Sequence, residues 1–157
     1  MDTLIIRNET SADVAALRES RALAISLVAE DAGRVVGHIA FSPVTISDGT
    51  PRWYGLGPVS VLPECQRKGI GRALISEGLS RLKTLGAQGC CLVGHPDYYR
   101  RFGFQNVRGL RLDGVPDEVF FALAFAGAIP QGLVEFHAGF RADGHRGAAG
   151  NGAGQRP

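Results

Sequence analysis

The chain has 157 residues, of which 45% are hydrophobic and 20% charged, the composition of an ordinary globular domain. A domain of this length buries enough apolar surface to fold without disulfides or structural metals. Its formal net charge of +2 is too small to indicate a nucleic-acid-binding protein. Three cysteines, two of them adjacent, fit neither a disulfide framework nor a CxxC site. They favour reduced thiols and a cytoplasmic protein, and no apolar run is long enough for a signal peptide or a membrane span.

The first half of the chain alternates short apolar runs with turn residues. The run "TLIIR" predicts a strand, and "TSADVAALRES" has the spacing of a capping box that begins a helix. The runs "LAISLVAE" and "VVGHIAFSPVTI" predict two antiparallel strands, because Gly33 between them can adopt the positive φ of a tight hairpin. The next run, "WYGLGPVSVL", predicts a strand interrupted by a bulge, since glycine and proline disturb strand pairing.

After residue 69 the apolar spacing becomes helical. Ile70, Leu74, Leu82 and Leu85 share one face, and Gly86 occupies the position of a helix C-cap. The runs "GCCLVG", "EVFFALAF" and "GLVEFHAGF" predict three further strands, and "PDYYRRFGF" predicts a helical turn that leads into another strand. A strand, a helix and a strand within residues 56–94 form a βαβ unit inside a mixed sheet, so the fold class is α/β (α+β).

The C-terminal segment differs in composition from the rest of the chain. Residues 141–157 consist largely of glycine, alanine and polar residues with no apolar periodicity. Such a segment buries too little surface to offset its conformational entropy. We therefore expect one domain at residues 1–140 and a flexible tail at 141–157.

The segment "PECQRKGIGRAL" places a basic, glycine-bearing turn between a predicted strand and the predicted long helix. A turn of this kind presents free backbone N–H groups and the positive end of a helix dipole, which predicts a phosphate site. The P-loop pattern is absent, because Arg72-Ala73 follows Gly71 in place of Lys-Ser/Thr. The dinucleotide pattern is absent as well, because Leu74 stands where the third glycine belongs. ATP and NAD are therefore disfavoured as ligands.

The hexapeptide "QRKGIG" resembles the pyrophosphate loop, Q/R-x-x-G-x-G/A, of the GNAT superfamily of acyl-CoA-dependent N-acetyltransferases. The flanking segments "LGPVSVL" and "GHPDYYRRFGF" agree with that family, and the resemblance covers most of residues 4–140. It implies a mixed, mostly antiparallel twisted sheet with a central βαβ unit and splayed fourth and fifth strands. It also implies acetyl-CoA as co-substrate, no metal, and transfer of an acetyl group to an amine by direct nucleophilic attack.

The resemblance assigns roles to residues around the loop. Val59, Ser60 and Val61 would contact the pantetheine arm and the thioester, and one of their N–H groups would polarise the acetyl carbonyl. Ser60 is therefore a catalytic candidate. The residues that would bind the pyrophosphate, mainly through the main chain, are Gln66, Arg67, Lys68, Gly69, Ile70, Gly71 and Arg72. The alternative for the three cations of this set is a solvated helix start.

Candidates for proton transfer lie after the predicted fifth strand. The resemblance makes Tyr99, four residues before Gly103, a catalytic acid that protonates the CoA sulfur and contacts the cofactor. Its alternative role is to line the pantetheine channel. Tyr98 is expected to pack in the core. His95 could relay a proton from the amine, but a strand-end histidine bonded to nearby backbone is the preferred interpretation, and His38 is expected to be a satisfied structural side chain.

The N-terminal region departs from the family pattern. Members of the superfamily usually place two helices between the first two strands, whereas residues 8–22 have room for about one helix at ~1.5 Å per residue. The wall of the acceptor site is then short. Three consequences stay open: an open groove that admits a peptide or protein amine, a homodimer whose second subunit completes the site, or loss of turnover. A non-catalytic CoA-binding or sensing module is the alternative function, and a generic nucleotide-binding domain is a third.

Overall fold

The computed structural model describes residues 4–9 and 25–136, which form a mixed sheet and two α-helices. The predicted helix between residues 8 and 22 and the tail from residue 141 lie outside the described residues. The helices are α1 (Ile70–Leu85) and α2 (Pro96–Tyr99). The strands in chain order are β1 (Leu4–Asn8), β2 (Ile25–Asp31), β3 (Arg34–Ile46), β4 (Trp53–Val61), β5 (Gly89–Val93), β6 (Leu110–Leu112), β7 (Phe120–Ala124) and β8 (Gly132–Phe136).

The sheet order confirms the predicted fold class. Strands follow one another as β1-β2-β3-β4-β5-β7, and β8 joins β3 to β6. The pairs β4–β5 and β6–β8 are parallel, and the other pairs in the described sheet are antiparallel. Because β4 and β5 are parallel neighbours, the chain must cross over between them, and α1 makes that crossing. The predicted βαβ unit is therefore present.

The β2–β3 hairpin shows how local sequence sets the register. Asp31 pairs with Arg34 across a two-residue turn, in which Ala32 has φ 53° and Gly33 has φ 81°. Two positive φ values are typical of the type I′ turn, whose twist matches that of the flanking strands. The hairpin predicted from Gly33 is confirmed, and Ala32 shares the unusual backbone conformation.

The segment after α2 differs from the expectation. In place of the predicted strand, Gln105 forms a single isolated bridge with Ala122, and β6 lies a few residues further on. The side chain of Asn106 holds this segment, because its Nδ2 donates to the carbonyl oxygens of Asp117 and Phe120 at 2.9 and 3.0 Å. Side-chain hydrogen bonds thus replace the strand ladder that the sequence predicts.

Two layers of side chains cover the sheet. On one face, α1 buries its predicted apolar stripe against the sheet, and the stripe comprises Ile70, Leu74, Ile75, Leu79 and Leu82. The opposite face carries a second cluster with Trp53 and Cys91, since successive strand residues point to opposite faces. Leu85 was expected on the buried stripe but is exposed, because it ends the helix just before the left-handed cap at Gly86. Neither described helix has the length and apolar character that crossing a bilayer requires.

Candidate functional site

A gap opens in the sheet between β4 and β5. Their parallel pairing covers only three residue pairs, which begin at Trp53–Gly89 and end at Gly55–Cys91. Beyond Gly55, β4 continues beside β3 and β5 continues beside β7. The β3–β4 register shifts in the same region, next to a cis peptide bond between Gly57 and Pro58. The expected bulge and the expected splaying of the fourth and fifth strands are both confirmed.

The end of β4 lines one side of this gap. Val59 and Val61 are buried toward α1, whereas Ser60 between them is exposed. Ser60 is paired with His38 of β3, so these two side chains share the face of the sheet opposite α1. The three residues predicted to contact the thioester are thus contiguous at the open end of β4.

The loop between β4 and α1 begins with a 3-10 turn at Pro63–Cys65. Gln66 ties the loop back to β4, because its side-chain Nε2 donates to the carbonyl oxygen of Val61 at 3.1 Å. The backbone then turns sharply through two residues with left-handed conformation, Arg67 (φ 67°) and Gly69 (φ 87°). Gly69 is the N-cap of α1. The predicted turn is therefore a compact connection that places the start of α1 close to the end of β4.

Backbone donors and positive charge collect at this turn. No side chain caps α1, and no acidic residue lies in its first turn. Among the described residues, the N–H groups of residues 67–72 donate to no backbone carbonyl, while the N–H of Ala73 is the first to donate, to the carbonyl of Gly69. The side chains of Arg67, Lys68 and Arg72 are exposed. Free donors, a helix dipole and three cations together favour binding of an anion.

Tyr99 lies in the core beneath the end of β5. Its side chain is 1% exposed and meets the ring of Phe104 edge-on at 6.2 Å between centroids. Gly94 lies so close that a Cβ there would overlap the Tyr99 ring. Burial, helped by the nearby phenol of Tyr98, raises the pKa of Tyr99 well above the usual tyrosine value. The phenol is therefore protonated near neutral pH, as a proton donor has to be.

Tyr98 lies at the edge of the core. It is half-buried, its ring meets that of Phe102 edge-on at 5.5 Å, and the guanidinium carbon of Arg101 lies 4.9 Å from its ring centroid. Burial raises the pKa of Tyr98 to about 12, although the charges of Arg101 and Arg72 act to lower it. Its hydroxyl oxygen is buried and has no hydrogen-bond partner among the residues that the structure describes. The position differs from the expected one inside the core, and nothing in a Tyr-Tyr pair indicates which ring is the outer one.

The two histidines near the gap make local contacts. His95 is exposed and caps α2, since its Nδ1 accepts a hydrogen bond from the N–H of Asp97 at 3.3 Å. His38 Nε2 lies 3.1 Å from Ser26 Oγ and 3.2 Å from a carboxylate oxygen of Glu9. Both arrangements agree with the structural interpretations preferred from the sequence. The contact of Glu9 with His38 could not be predicted from the sequence, because it depends on the pairing of β1, β2 and β3, which are distant along the chain.

The cysteines are core residues. Cys65, Cys90 and Cys91 are free thiols and all three are buried. Burial raises the pKa of Cys91 to about 12, and burial together with the neighbouring Cys91 thiol raises the pKa of Cys90 well above the usual thiol value. Near neutral pH neither of these two thiols supplies a thiolate nucleophile. Within the described ranges, no three His, Cys, Asp or Glu side chains are grouped as metal ligands.

Comparison with known proteins gives a consistent set of similarities. The family model described as "Acetyltransferase (GNAT) domain" matches residues 22–106. The uncharacterized N-acetyltransferase YhbS of Escherichia coli strain K12 is 39% identical over 90 residues, which are 57% of this chain and 54% of the relative. YjhQ, another uncharacterized N-acetyltransferase of that strain, is 39% identical over 93 residues, 58% of this chain and 51% of the relative. The chain thus spans about half the length of the curated relatives it matches.

Two solved structures match over most of the chain. The crystal structure of a GNAT family acetyltransferase from Brucella melitensis in complex with acetyl-CoA has a TM-score of 0.75 and 44% identity, and the match covers 87% of this chain and 97% of that one. The structure of YhbS from Escherichia coli in complex with CoA has a TM-score of 0.80 and 30% identity, and covers 88% of this chain and 92% of that one.

Proposed function

Because this chain belongs to the GNAT acetyltransferase family, we propose that it transfers an acetyl group from acetyl-CoA to an amine. The observation that carries the proposal is the open gap between β4 and β5 beside the uncapped, basic start of α1. The gap can admit an extended arm that bonds to strand backbone, and the turn can hold the anionic end of the same ligand. The two similar structures solved with acetyl-CoA and with CoA support this choice of donor.

The donor site has two parts in this proposal. The residues from Gln66 to Arg72 bind the pyrophosphate through main-chain N–H groups, and their cations add charge. Gln66 keeps the loop against β4 through its bond to Val61. Val59, Ser60 and Val61 contact the pantetheine arm. Its amide groups form hydrogen bonds to the backbone of β4 in place of those that a paired strand would form on that side.

The chemical step is direct attack by the amine. Its lone pair forms the C–N bond while the carbonyl becomes a tetrahedral oxyanion, which an N–H group of residues 59–61 stabilises. Collapse of this intermediate breaks the C–S bond, Tyr99 protonates the departing thiolate and then regains a proton from solvent, and the amine proton passes to solvent. Ser60 acts through its backbone in this scheme. Burial keeps Tyr99 protonated before the thiolate forms, and the same raised pKa makes its phenol a weaker acid than an ordinary tyrosine.

The proposal also covers the extent of the domain, the location of the protein and its partners. Residues 1–140 act as the transferase domain and 141–157 as its tail, in the cytoplasm, where buried free thiols stay reduced. The acceptor is an amine, and because the segment between β1 and β2 is short in the sequence, the acceptor side of the gap is proposed to admit a small amine, a peptide or a protein terminus. A homodimer is the arrangement in which a second subunit would complete that side.

A non-catalytic CoA-binding or sensing module is the second candidate. The observation that favours it is the burial of Tyr99, which is only 1% exposed. Both candidates bind acetyl-CoA. Only the transferase releases free CoA thiol in proportion to added amine, so turnover separates the two.

Thermal shift with four ligands tests the donor. We expect CoA and acetyl-CoA to raise the melting temperature, and ATP and NAD to leave it unchanged. A ligand at a hundred times its Kd stabilises by about 2.7 kcal/mol, which for a chain of this size corresponds to roughly 5–10 °C. Thiol release is then followed with a panel of amines and peptides. Absence of a shift with both CoA species would reject the transferase and the binding module together.

Tyr99→Phe tests the proposed acid. The variant keeps the ring in its contacts with Phe104 and Tyr98 and removes only the hydroxyl. We expect kcat to fall about a hundredfold, the lower range for loss of a general acid, with little change in the affinity for acetyl-CoA. Tyr54→Phe is the matched control, because Tyr54 lies where β4 and β5 are still paired. An unchanged kcat in Tyr99→Phe would leave that tyrosine a scaffold role only.

A further inference from the structure

The hydroxyl of Tyr98 is a buried polar group that the described chain leaves unsatisfied. Its oxygen has no hydrogen-bond partner, although buried polar groups in native proteins are almost always paired. Ser42 Oγ and Trp53 Nε1 are also buried without a partner, but they lie where β4 and β5 are still paired. Tyr98 instead belongs to α2, which follows β5 beyond the part of that strand that pairs with β4.

The surroundings of the phenol are electropositive. Arg101 lies over the ring at 4.9 Å, and the charge of Arg72 also acts on the phenol. Arg72 belongs to the first turn of α1, next to the free N–H groups of the loop. A hydrogen-bond donor in such a place matches an anionic acceptor better than a neutral one.

We propose that Tyr98 Oη donates a hydrogen bond to a pyrophosphate oxygen of CoA and so joins α2 to the phosphate loop across the gap. The inference rests on the proposed function and adds a binding residue to it. The phenol stays protonated well above neutral pH, because burial raises its pKa to about 12. It therefore remains a donor throughout the physiological range.

The two neighbouring tyrosines then have separate roles. Their rings are 5.0 Å apart and nearly perpendicular, at 84°. Tyr99 packs inward against Phe104 and Phe121, whereas Tyr98 packs against Phe102 under Arg101. Tyr98 thus serves donor binding, and Tyr99 remains the residue proposed for the chemical step.

The Tyr98→Phe variant tests the inference. It keeps the ring contacts with Phe102 and Arg101 and removes the unpaired oxygen. We expect the ligand-free variant to melt at the same temperature as the unmodified protein or higher, because an unsatisfied buried group is lost. Its Kd for CoA, measured by calorimetry, should rise about tenfold, the loss expected for one hydrogen bond to a charged group. Tyr54→Phe should leave the Kd unchanged.

A crystal structure of the unmodified protein with CoA provides a second measurement that does not depend on the variant's folding. We expect Tyr98 Oη within about 3 Å of a pyrophosphate oxygen. An unchanged Kd in a folded Tyr98→Phe variant, or a complex in which the hydroxyl contacts the pantetheine arm or the adenine, would overturn the inference. If the unmodified protein fails to bind CoA, the proposed function itself fails, so the two failures are distinguishable.

Discussion

Replacement of Gly71 by valine is expected to abolish CoA binding, with a loss of more than about a hundredfold in affinity. Gly71 is the second residue of α1, and its N–H is among those that donate to no backbone carbonyl in the described chain. A pyrophosphate bound at this turn has to approach the backbone closely, and glycine allows that approach because it lacks a Cβ. Gly71 is buried in the first turn of α1, so a branched side chain there has to displace either the loop backbone or a phosphate bound against it.

Calorimetry with CoA measures this effect, and the melting temperature of the ligand-free variant shows whether the fold is retained. Gly71→Ala provides an intermediate step, with a smaller loss expected from a single methyl group. Ser76→Val is the matched control, since it introduces the same side chain on the exposed surface of the same helix. If Gly71→Val folds and binds CoA with unchanged affinity, the loop does not hold the pyrophosphate.

Replacement of Gly78 by valine is expected to cost about 2–3 kcal/mol of stability, the upper part of the range of roughly 1–3 kcal/mol that is typical of overpacking in a well-packed core. Gly78 lies on the buried face of α1, and a Cβ built there would overlap the ring of Phe41 on β3. Phe41 is fully buried, so its ring cannot swing out to make room. Either the ring leaves its rotamer or the helix moves away from the sheet, and both weaken the packing of the apolar stripe.

Urea denaturation measures this loss as a lower midpoint at an unchanged m-value. For a chain of this size the melting temperature should fall by roughly 5–10 °C. Ser76→Val again serves as the control, because it also places a β-branched residue in the helix but on its exposed face. A Gly78→Val variant of full stability would mean that α1 lies further from β3 than described.

Features encoded by a few neighbouring residues could be predicted from the sequence. The β2–β3 turn depends on Gly33, the end of α1 on Gly86, and the β4 bulge on the Gly57-Pro58 pair, each a residue with a strong local backbone preference. The gap between β4 and β5 followed from the family resemblance. The glycine-bearing turn could be placed correctly between β4 and α1 from local sequence alone, because it lies between a strand-like run and a run with helical spacing.

Features that depend on distant partners could not be predicted. The three residues of β6 form a strand only because β8 lies beside them, about twenty residues later, and such a short segment shows no alternation. In the site, Tyr98 and Tyr99 are adjacent and chemically identical. Which ring lies inside is decided by packing against Phe104 and Phe121, from a loop and from β7, so no local pattern distinguishes them.

Because β4 and β5 pair over so few residues, the sheet consists of two groups of strands with a weak connection between them. On one side lie β1 to β4 with β8 and β6, on the other β5 with β7, and three residue pairs of the β4–β5 ladder join the two parts directly. The chain itself crosses the same seam between β4 and β5, where α1 packs on the sheet, and again between β5 and β6, β6 and β7, and β7 and β8. A ligand bound in the gap would contact both parts of the sheet and hold them together. Tighter binding of the donor would therefore also make it harder for the two parts to move relative to each other.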